Sequence, residues 1–600
     1  MLALLLALAA HVSPFAAPSL HDPVVALANE AGRGAAAVLP SDPTKALDAW
    51  LKLYFAGKIS ILSKENIASK SLAMKYGIVP KSGLGNPTWE GDLHAILEAV
   101  AKQDDAEAAA ALLEVAAVGL TASKLDADAA PHHVRAAGEK WAARLTSGPA
   151  KEELAKAARG EGKGDKATVA GLQIAGVRCL ARLGDKSMRT TIEQQLADAD
   201  ELVRVNAAEA LQTLGDEAAA MALIGSLERE TSDAVLIAVS RCLRSLYSQY
   251  VPTAARPKSD TVKGDDGSTG DAQPEAPKKA AGAPPESTRL AARAAIGAIG
   301  RSTWRGDMAL LQLLDDWRSL EAIPALIGVL ERFRDNPQDV QSGKLSLLLL
   351  YRAHELLVAM TGAVIPAEAP EKWRELWERE KDKIDLNQKH EPKGPPTTVA
   401  SGFCGIPVQG SRVLFILDLS GSMDFPMPDK QSTRLDFAQR ELQRAMSSIS
   451  PNAHFNLVTF NGNPKAKLWS KDMVPATERN RARFLKYVEG LRANGGTNLW
   501  SGFEQGLKVR SLVYGDRYET NVDEVFILSD GAPSVGDIID PIEILRLVHE
   551  TNRFANMRIN TIFITSTNPQ EAQPMPWMTI SPAELMRRLA KENGGKFVGL

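Results

Sequence analysis

The chain has 600 residues, 44% of them hydrophobic and 24% charged, which is the composition of ordinary folded protein and a length beyond one compact core. Its 70 Lys and Arg nearly balance its 73 Asp and Glu, so no chain-wide field points to nucleic acid or an anionic membrane as partner. The three cysteines, Cys179, Cys242 and Cys404, are too few and too scattered for a disulfide framework.

The chain opens "MLALLLALAAHVSPFAAPSL", an apolar run shorter than the ~20 residues of a membrane span, followed by Pro14 and the small residues Ala17 and Ser19. This pattern reads as a secretory signal cleaved after Ser19, although no Lys or Arg precedes the run; the alternative is an amphiphilic first helix. No later segment has the ~18 uninterrupted apolar residues of a transmembrane helix, so the mature chain is expected to be soluble.

Residues 177 to 185 read "VRCLARLGD" and residues 208 to 216 read "AEALQTLGD", placing Leu183 and Leu214 31 residues apart; a looser copy, "SRCLRSLYS", starts at Ser240. Each copy sits in an Ala- and Leu-rich stretch of helical spacing and is followed by a polar break and a second helical run. A period near 30 with two helices per unit resembles an α-solenoid of the HEAT type. In that register Cys179, Ala210 and Cys242 share one small apolar position, so the cysteines are expected to be unpaired core thiols.

From 252 to 288 the chain is rich in Pro, Gly, Ala and charge and is expected to be a disordered insertion. Helical pattern then resumes through "LEAIPALIGVLERF", "LSLLLLYRAHELLVAMTG" and "EKWRELWEREKDKI", where Trp373 and Trp377 share a helix face and are expected to cap the solenoid core. "AHELLVAM" places His354 and Glu355 as a zincin helix would, but Val358 stands where the second His belongs. His132 and His133 are adjacent on a helix and are expected to point apart, which argues against a shared metal.

The last 200 residues change character. Apolar runs at 412–418, 454–460, 524–530 and 559–565 alternate with helical stretches near 433–449, 478–491, 498–510, 540–553 and 581–592. Strands apolar on both faces with helix-length connections imply a mostly parallel, doubly wound sheet covered by helices, whose ligands bind at the carboxyl ends of the strands. The fold class is therefore multidomain: an all-α solenoid followed by an α/β domain. The expected divisions are a signal segment at 1–19, an N-terminal helical region at 20–85, the solenoid at 86–251, a linker at 252–288, a second helical segment at 289–386, a linker at 387–404 and the α/β domain at 405–600.

Asp418 falls at the expected carboxyl end of the first of these strands, in "LDLSGSMDF", where Asp418, Ser420 and Ser422 form D-x-S-x-S with Gly421 allowing a tight turn. Thr497 in "GGTN" opens another helix, and Asp530 in "ILSDGAPS" ends another buried strand. Singly, each fits a cap or turn role. Together, on one sheet edge, they resemble the metal-ion-dependent adhesion site of the von Willebrand factor type A domain, a resemblance covering about residues 405–600. It implies that Ser420, Ser422 and Thr497 bind a metal directly or through water, that Asp418 and Asp530 hold it largely through water, and that one coordination position stays open. The oxygen-only donor set independently favours a hard dication, Mg²⁺ first, with Mn²⁺ or Ca²⁺ as alternatives and Zn²⁺ disfavoured. A dication held mainly by uncharged hydroxyls stays under-neutralised and attracts a Glu or Asp carboxylate from a partner protein.

The leading functional expectation is an exported, non-enzymatic binding scaffold with a metal-gated surface and a solenoid as second protein-docking surface. The alternative is an intracellular assembly factor acting beside an ATPase. A third reading, metal-dependent hydrolysis, has Asp424 as its sole additional carboxylate in the motif loop.

Overall fold

A computed structural model of the chain describes residues 25–27, 37–39, 42–56, 90–120, 131–250, 284–386, 402–427, 431–507, 521–564, 578 and 580–600. The expected signal segment and nearly all of both expected linkers lie outside these residues. The described residues form two compact units that divide between Thr191 and Ile192. No helix among the described residues is long and apolar enough to cross a membrane.

The first unit begins with two short antiparallel strands, β1 (Val25–Leu27) and β2 (Ala37–Leu39), in a region whose sequence reads as helical. Helices follow: α1 (Pro43–Phe55), α2 (Glu90–Ala101), α3 (Ala106–Ala116), α4 (Pro131–Ala142), α5 (Gly148–Ala158) and α6 (Lys166–Leu183). Their starts are set by side-chain caps: Asp42, Asp105, Ser147 and Asp165 each accept a backbone N–H from the first turn. Two glycines set the helix crossings, because a Cβ on Gly138 or Gly176 would meet the backbone nitrogen of Ala116 or Ala158 at 2.6 Å. His132 and His133, at the start of α4, do not point apart. Their rings lie 4.1 Å centroid to centroid, a turn of helix start being loose enough for neighbouring rings to fold together.

The second unit combines helical repeats with the α/β domain. Its longer repeat helices are α7 (Glu201–Leu214), α8 (Glu217–Leu227), α9 (Asp233–Leu246), α10 (Glu286–Ala298), α11 (Trp304–Asp316), α12 (Ala322–Asp335), α13 (Leu347–Thr361) and α14 (Pro370–Glu380). The repeated Leu-Gly-Asp has a plain physical meaning at 214–216. Gly215 takes the left-handed conformation, φ 72°, that ends α7, and Asp216 caps α8 by accepting the Ala219 N–H. Cys179, Ala210 and Cys242 are all buried, and all three cysteines are free thiols. Trp373 is buried, with its indole N–H on the Pro366 carbonyl, whereas Trp377 is half-buried. His354 sits inside α13 and faces the Ile365 carbonyl at 2.7 Å.

The sheet of the α/β domain runs β5-β4-β3-β7-β8-β9, with β6 also pairing with β4. Here β3 is Arg412–Asp418, β4 His454–Phe460, β5 Lys467–Leu468, β6 Val474–Pro475, β7 Glu524–Ser529, β8 Arg558–Phe563 and β9 Phe597–Gly599. Strands β4, β3, β7, β8 and β9 are mutually parallel, and only the two-residue β5 and β6 are antiparallel. Helices α15 (Arg434–Ser448), α16 (Glu478–Glu489), α17 (Leu499–Leu507), α18 (Pro541–Ala555) and α19 (Pro582–Glu592) complete the layers. On one face Phe415 stacks on Phe526 at 5.6 Å; on the other, Gly502 and Gly506 bring α17 down onto Ile416 and Leu414. Central β3 is thus buried on both faces, as its unbroken apolar run requires.

The helical repeats hold the amino ends of the strands. Asp523, just ahead of β7, accepts the backbone N–H groups of Ser411 and Arg412 and the Ser346 hydroxyl, while Ser411 Oγ accepts the Leu347 N–H. Arg305 donates to the Val522 and Ala555 carbonyls, and Arg553 pairs with Glu209 at 2.7 Å. The opposite, carboxyl edge carries the residues that the sequence singles out.

Candidate functional site

The chain order of the sheet makes a switch point at β3: the next strand, β4, lies on one side of it and β7 on the other. Loops leaving the carboxyl ends of β3 and β7 therefore diverge and leave a crevice between them. Asp418 ends β3 and Asp530 directly follows β7, so the two carboxylates face this crevice from adjacent strands.

Three loops are stitched around it by backbone hydrogen bonds. The loop after β3 is tied to the 494–495 turn, with Leu419 O accepting Asn494 N–H at 2.8 Å and Gly421 N–H donating to Gly495 O at 2.9 Å. Thr497 is tied in turn to the loop after Asp530: its N–H donates to Ser534 Oγ at 3.0 Å and its carbonyl accepts Ser534 N–H at 2.9 Å. Gly421 opens a short, tight 3₁₀ turn, Gly421–Asp424, without a left-handed backbone, and lies close under the Gly495 carbonyl.

The side chains converge. Ser420 Oγ and Ser422 Oγ are 3.1 Å apart, and Ser422 Oγ donates to Asp530 Oδ1 at 2.9 Å. A Cβ placed on Gly531 would stand 3.4 Å from Thr497 Oγ1 and 4.0 Å from Ser422 Oγ, so the third hydroxyl shares the same small volume. Asp418, Ser420, Thr497 and Asp530 are buried and Ser422 is half-buried. All five residues singled out from sequence meet at one place. Asp424 is exposed at the end of the 3₁₀ turn.

Every carboxylate oxygen of the pair is already engaged. Asp418 Oδ1 accepts the Ser420 N–H at 2.8 Å and Oδ2 accepts the Ser529 hydroxyl at 2.6 Å; Asp530 Oδ2 accepts Arg434 Nη1 at 2.6 Å. Burial, reinforced by the Asp530 charge, pushes the Asp418 carboxyl up to about 7. Burial also raises Asp530, against the opposing pull of Arg434. Ser529, Ser534, Gly531 and Arg434 were not found from sequence. Ser529 adjoins Asp530 in "ILSDG", and that adjacency is its local signal, but Arg434 lies 96 residues from its partner and looks like any first-turn residue of a helix.

Residues 413–532 match the family model of the von Willebrand factor type A domain, and residues 170–244 match that of HEAT repeats. The chain carries a von Willebrand factor type A domain. The chain is similar to inter-alpha-trypsin inhibitor heavy chain 4 of Mus musculus, 30% identical over 136 residues, which are 22% of this chain and 13% of the mouse protein. Heavy chain H2 of Homo sapiens is 26% identical over 129 residues, 21% of this chain and 13% of that one. The present chain thus spans about an eighth of the length of the curated relatives it matches. Among solved structures, a von Willebrand factor type A protein from Catenulispora acidiphila is 19% identical over 32% of this chain and 38% of its own, with a TM-score of 0.23. Proximal thread matrix protein 1 from the mussel byssus, solved with a zinc-occupied adhesion-site motif, is 16% identical over 31% and 41%, with a TM-score of 0.21.

Proposed function

We propose that the von Willebrand factor type A domain binds a divalent cation, Mg²⁺ ahead of Mn²⁺ or Ca²⁺, and through it a Glu or Asp carboxylate of a partner protein. The observation that carries this reading is the division of labour within the cluster. Three hydroxyls converge with lone pairs to offer, while all four oxygens of the two acids already accept hydrogen bonds. A cation would meet Ser420, Ser422 and Thr497 directly and Asp418 and Asp530 largely through water. Oxygen donors alone suit a hard ion. The ion supplies one open coordination position whose charge the hydroxyls leave unneutralised, and an external carboxylate completes it.

The domain's carboxyl edge is the working surface in this reading, and the helical repeats that hold the opposite edge supply rigidity and a second protein-docking surface. The N-terminal apolar run supports export of the mature chain to the cell envelope or beyond; mature protein starting at Met1 rather than near Leu20 would instead favour an intracellular assembly role.

Calorimetric titration of Mg²⁺ and Mn²⁺ into the full chain, wild type beside Asp418→Ala, tests the cation site, with thermal melts of both. Saturable binding lost in a still-folded variant is expected. A folded wild type that takes up neither ion would reduce the cluster to turn chemistry.

A further inference from the structure

Arg434 is an odd residue for its place. It is the first residue of α15, behind the Thr433 cap, where the helix end is electropositive and a cation is disfavoured. Its side chain is only 4% exposed, and burying a guanidinium demands a partner. That partner is Asp530, whose own side chain is fully buried, at 2.6 Å. The Phe425 ring, 5.5 Å from the guanidinium carbon, covers it on another side. Helix stability does not explain an arginine here, whereas the charge of the cluster does. Asp418 and Asp530 with Arg434 carry a formal charge of −1 rather than −2.

We propose that Arg434 is a built-in counter-charge that weakens cation binding at this site and makes it depend on an anionic oxygen from the ligand. The inference rests on the cation-site reading above. With Arg434 in place, a bound dication leaves the cluster at +1, and an incoming carboxylate neutralises it. Without Arg434 the dication alone neutralises the two acids, and the ligand gains less. Coupling of this kind is reciprocal, so a carboxylate that binds the loaded site tightens the metal by the same factor. The short reach of the pair in a buried setting makes the effect large, because solvent screens it little.

The test is titration of Mn²⁺ into the full chain at pH 8, in acetate and in chloride at equal ionic strength, for wild type, Arg434→Gln and Arg434→Lys. Arg434→Gln is expected to bind Mn²⁺ roughly ten-fold more tightly in chloride and to lose most of the tightening by acetate, and Arg434→Lys to behave as wild type. If Arg434→Gln does not fold, Arg434→Met keeps the bulk without the charge and carries the same comparison. Equal Mn²⁺ affinity in wild type and a folded neutral variant overturns the inference and leaves the cation site standing. Absence of binding in all of them overturns both.

Discussion

Ser529 Oγ donates a 2.6 Å hydrogen bond to Asp418 Oδ2, joining the ends of the adjacent parallel strands β7 and β3 at the floor of the crevice. The same carboxylate accepts the Ser420 N–H through its other oxygen, so its plane is fixed before any ligand arrives. Ser529→Ala leaves one oxygen of a buried acid without its donor. The expected loss of stability is about 1.5–3 kcal/mol, the range for hydrogen bonds to charged groups. The expected loss of metal affinity at neutral pH is larger than for Ser534→Ala, because Ser529 holds an acid while Ser534 holds backbone. Chemical denaturation and metal titration of the two variants check both statements; equal effects would remove Ser529 from the site.

The buried acids predict a pH dependence of definite sign. Burial raises the Asp418 carboxyl from 3.8 to about 7, so the folded protein holds that proton more tightly than the unfolded chain. Its contribution to stability is therefore full below about pH 4 and is lost as the pH rises through 7. Asp418→Asn does not titrate, so wild type measured in chelator should lose at least about 1 kcal/mol relative to the variant between pH 4 and pH 8. A cation competes with the proton, so the rise in melting temperature given by Mg²⁺ should be greater at pH 8 than at pH 5. A Mg²⁺ effect that is flat across this interval contradicts a site built on Asp418.

How much of this was legible in the sequence follows from where each partner lies. Strands β3, β4, β7 and β8 and the five large helices of the domain stand within a few residues of their apolar runs, because burial on both faces leaves no alternation to misread. The five clustered residues were legible because they lie at the end of a strand, in the turn that follows it or just ahead of a helix, positions that local pattern marks. Strands β5 and β6, two residues each, exist only through pairing with β4 and carry no periodicity of their own. Arg434 and Asp523 act through partners across the fold, and nothing near them in the chain announces the partner. The fold of the His132 and His133 rings toward each other likewise depends on rotamers at a helix start, which spacing rules do not reach.

Gly531 gives a way to block the site without disturbing the fold. A Cβ there makes only ordinary contacts, at 3.4 Å to Thr497 Oγ1 and 4.0 Å to Ser422 Oγ, and the backbone is not left-handed. Gly531→Ala should therefore melt within about 0.5 kcal/mol of wild type, the usual range for tolerated substitutions. The added methyl occupies space between two of the three hydroxyls, where the proposed ion or its water would sit. Metal affinity should fall by about ten-fold or more, as for other disturbances next to a metal shell. Wild-type affinity in this variant would place the ion elsewhere on the edge.

The amino edge of the sheet predicts how the second unit melts. Arg305 on α11 donates to the carbonyls of Val522 and Ala555, and its own carbonyl accepts the Asn556 side chain at 3.0 Å. Burial lowers its guanidinium to about 10, well above neutrality, so it remains charged in place. Ser346 works beside it, its hydroxyl donating to Asp523 at 2.5 Å while its oxygen accepts the Leu348 N–H at the start of α13. Arg305→Met removes a charged donor from two carbonyls, and the expected destabilisation is about 2–4 kcal/mol. Because these bonds join the repeats to the α/β domain, the variant should also separate their unfolding, giving two calorimetric transitions where one is expected for this unit in wild type. Metal binding at the carboxyl edge should survive, since β3 and β7 keep their pairing. A variant that lost metal and stability together would mean that the helical repeats set the geometry of the site through the strands they hold.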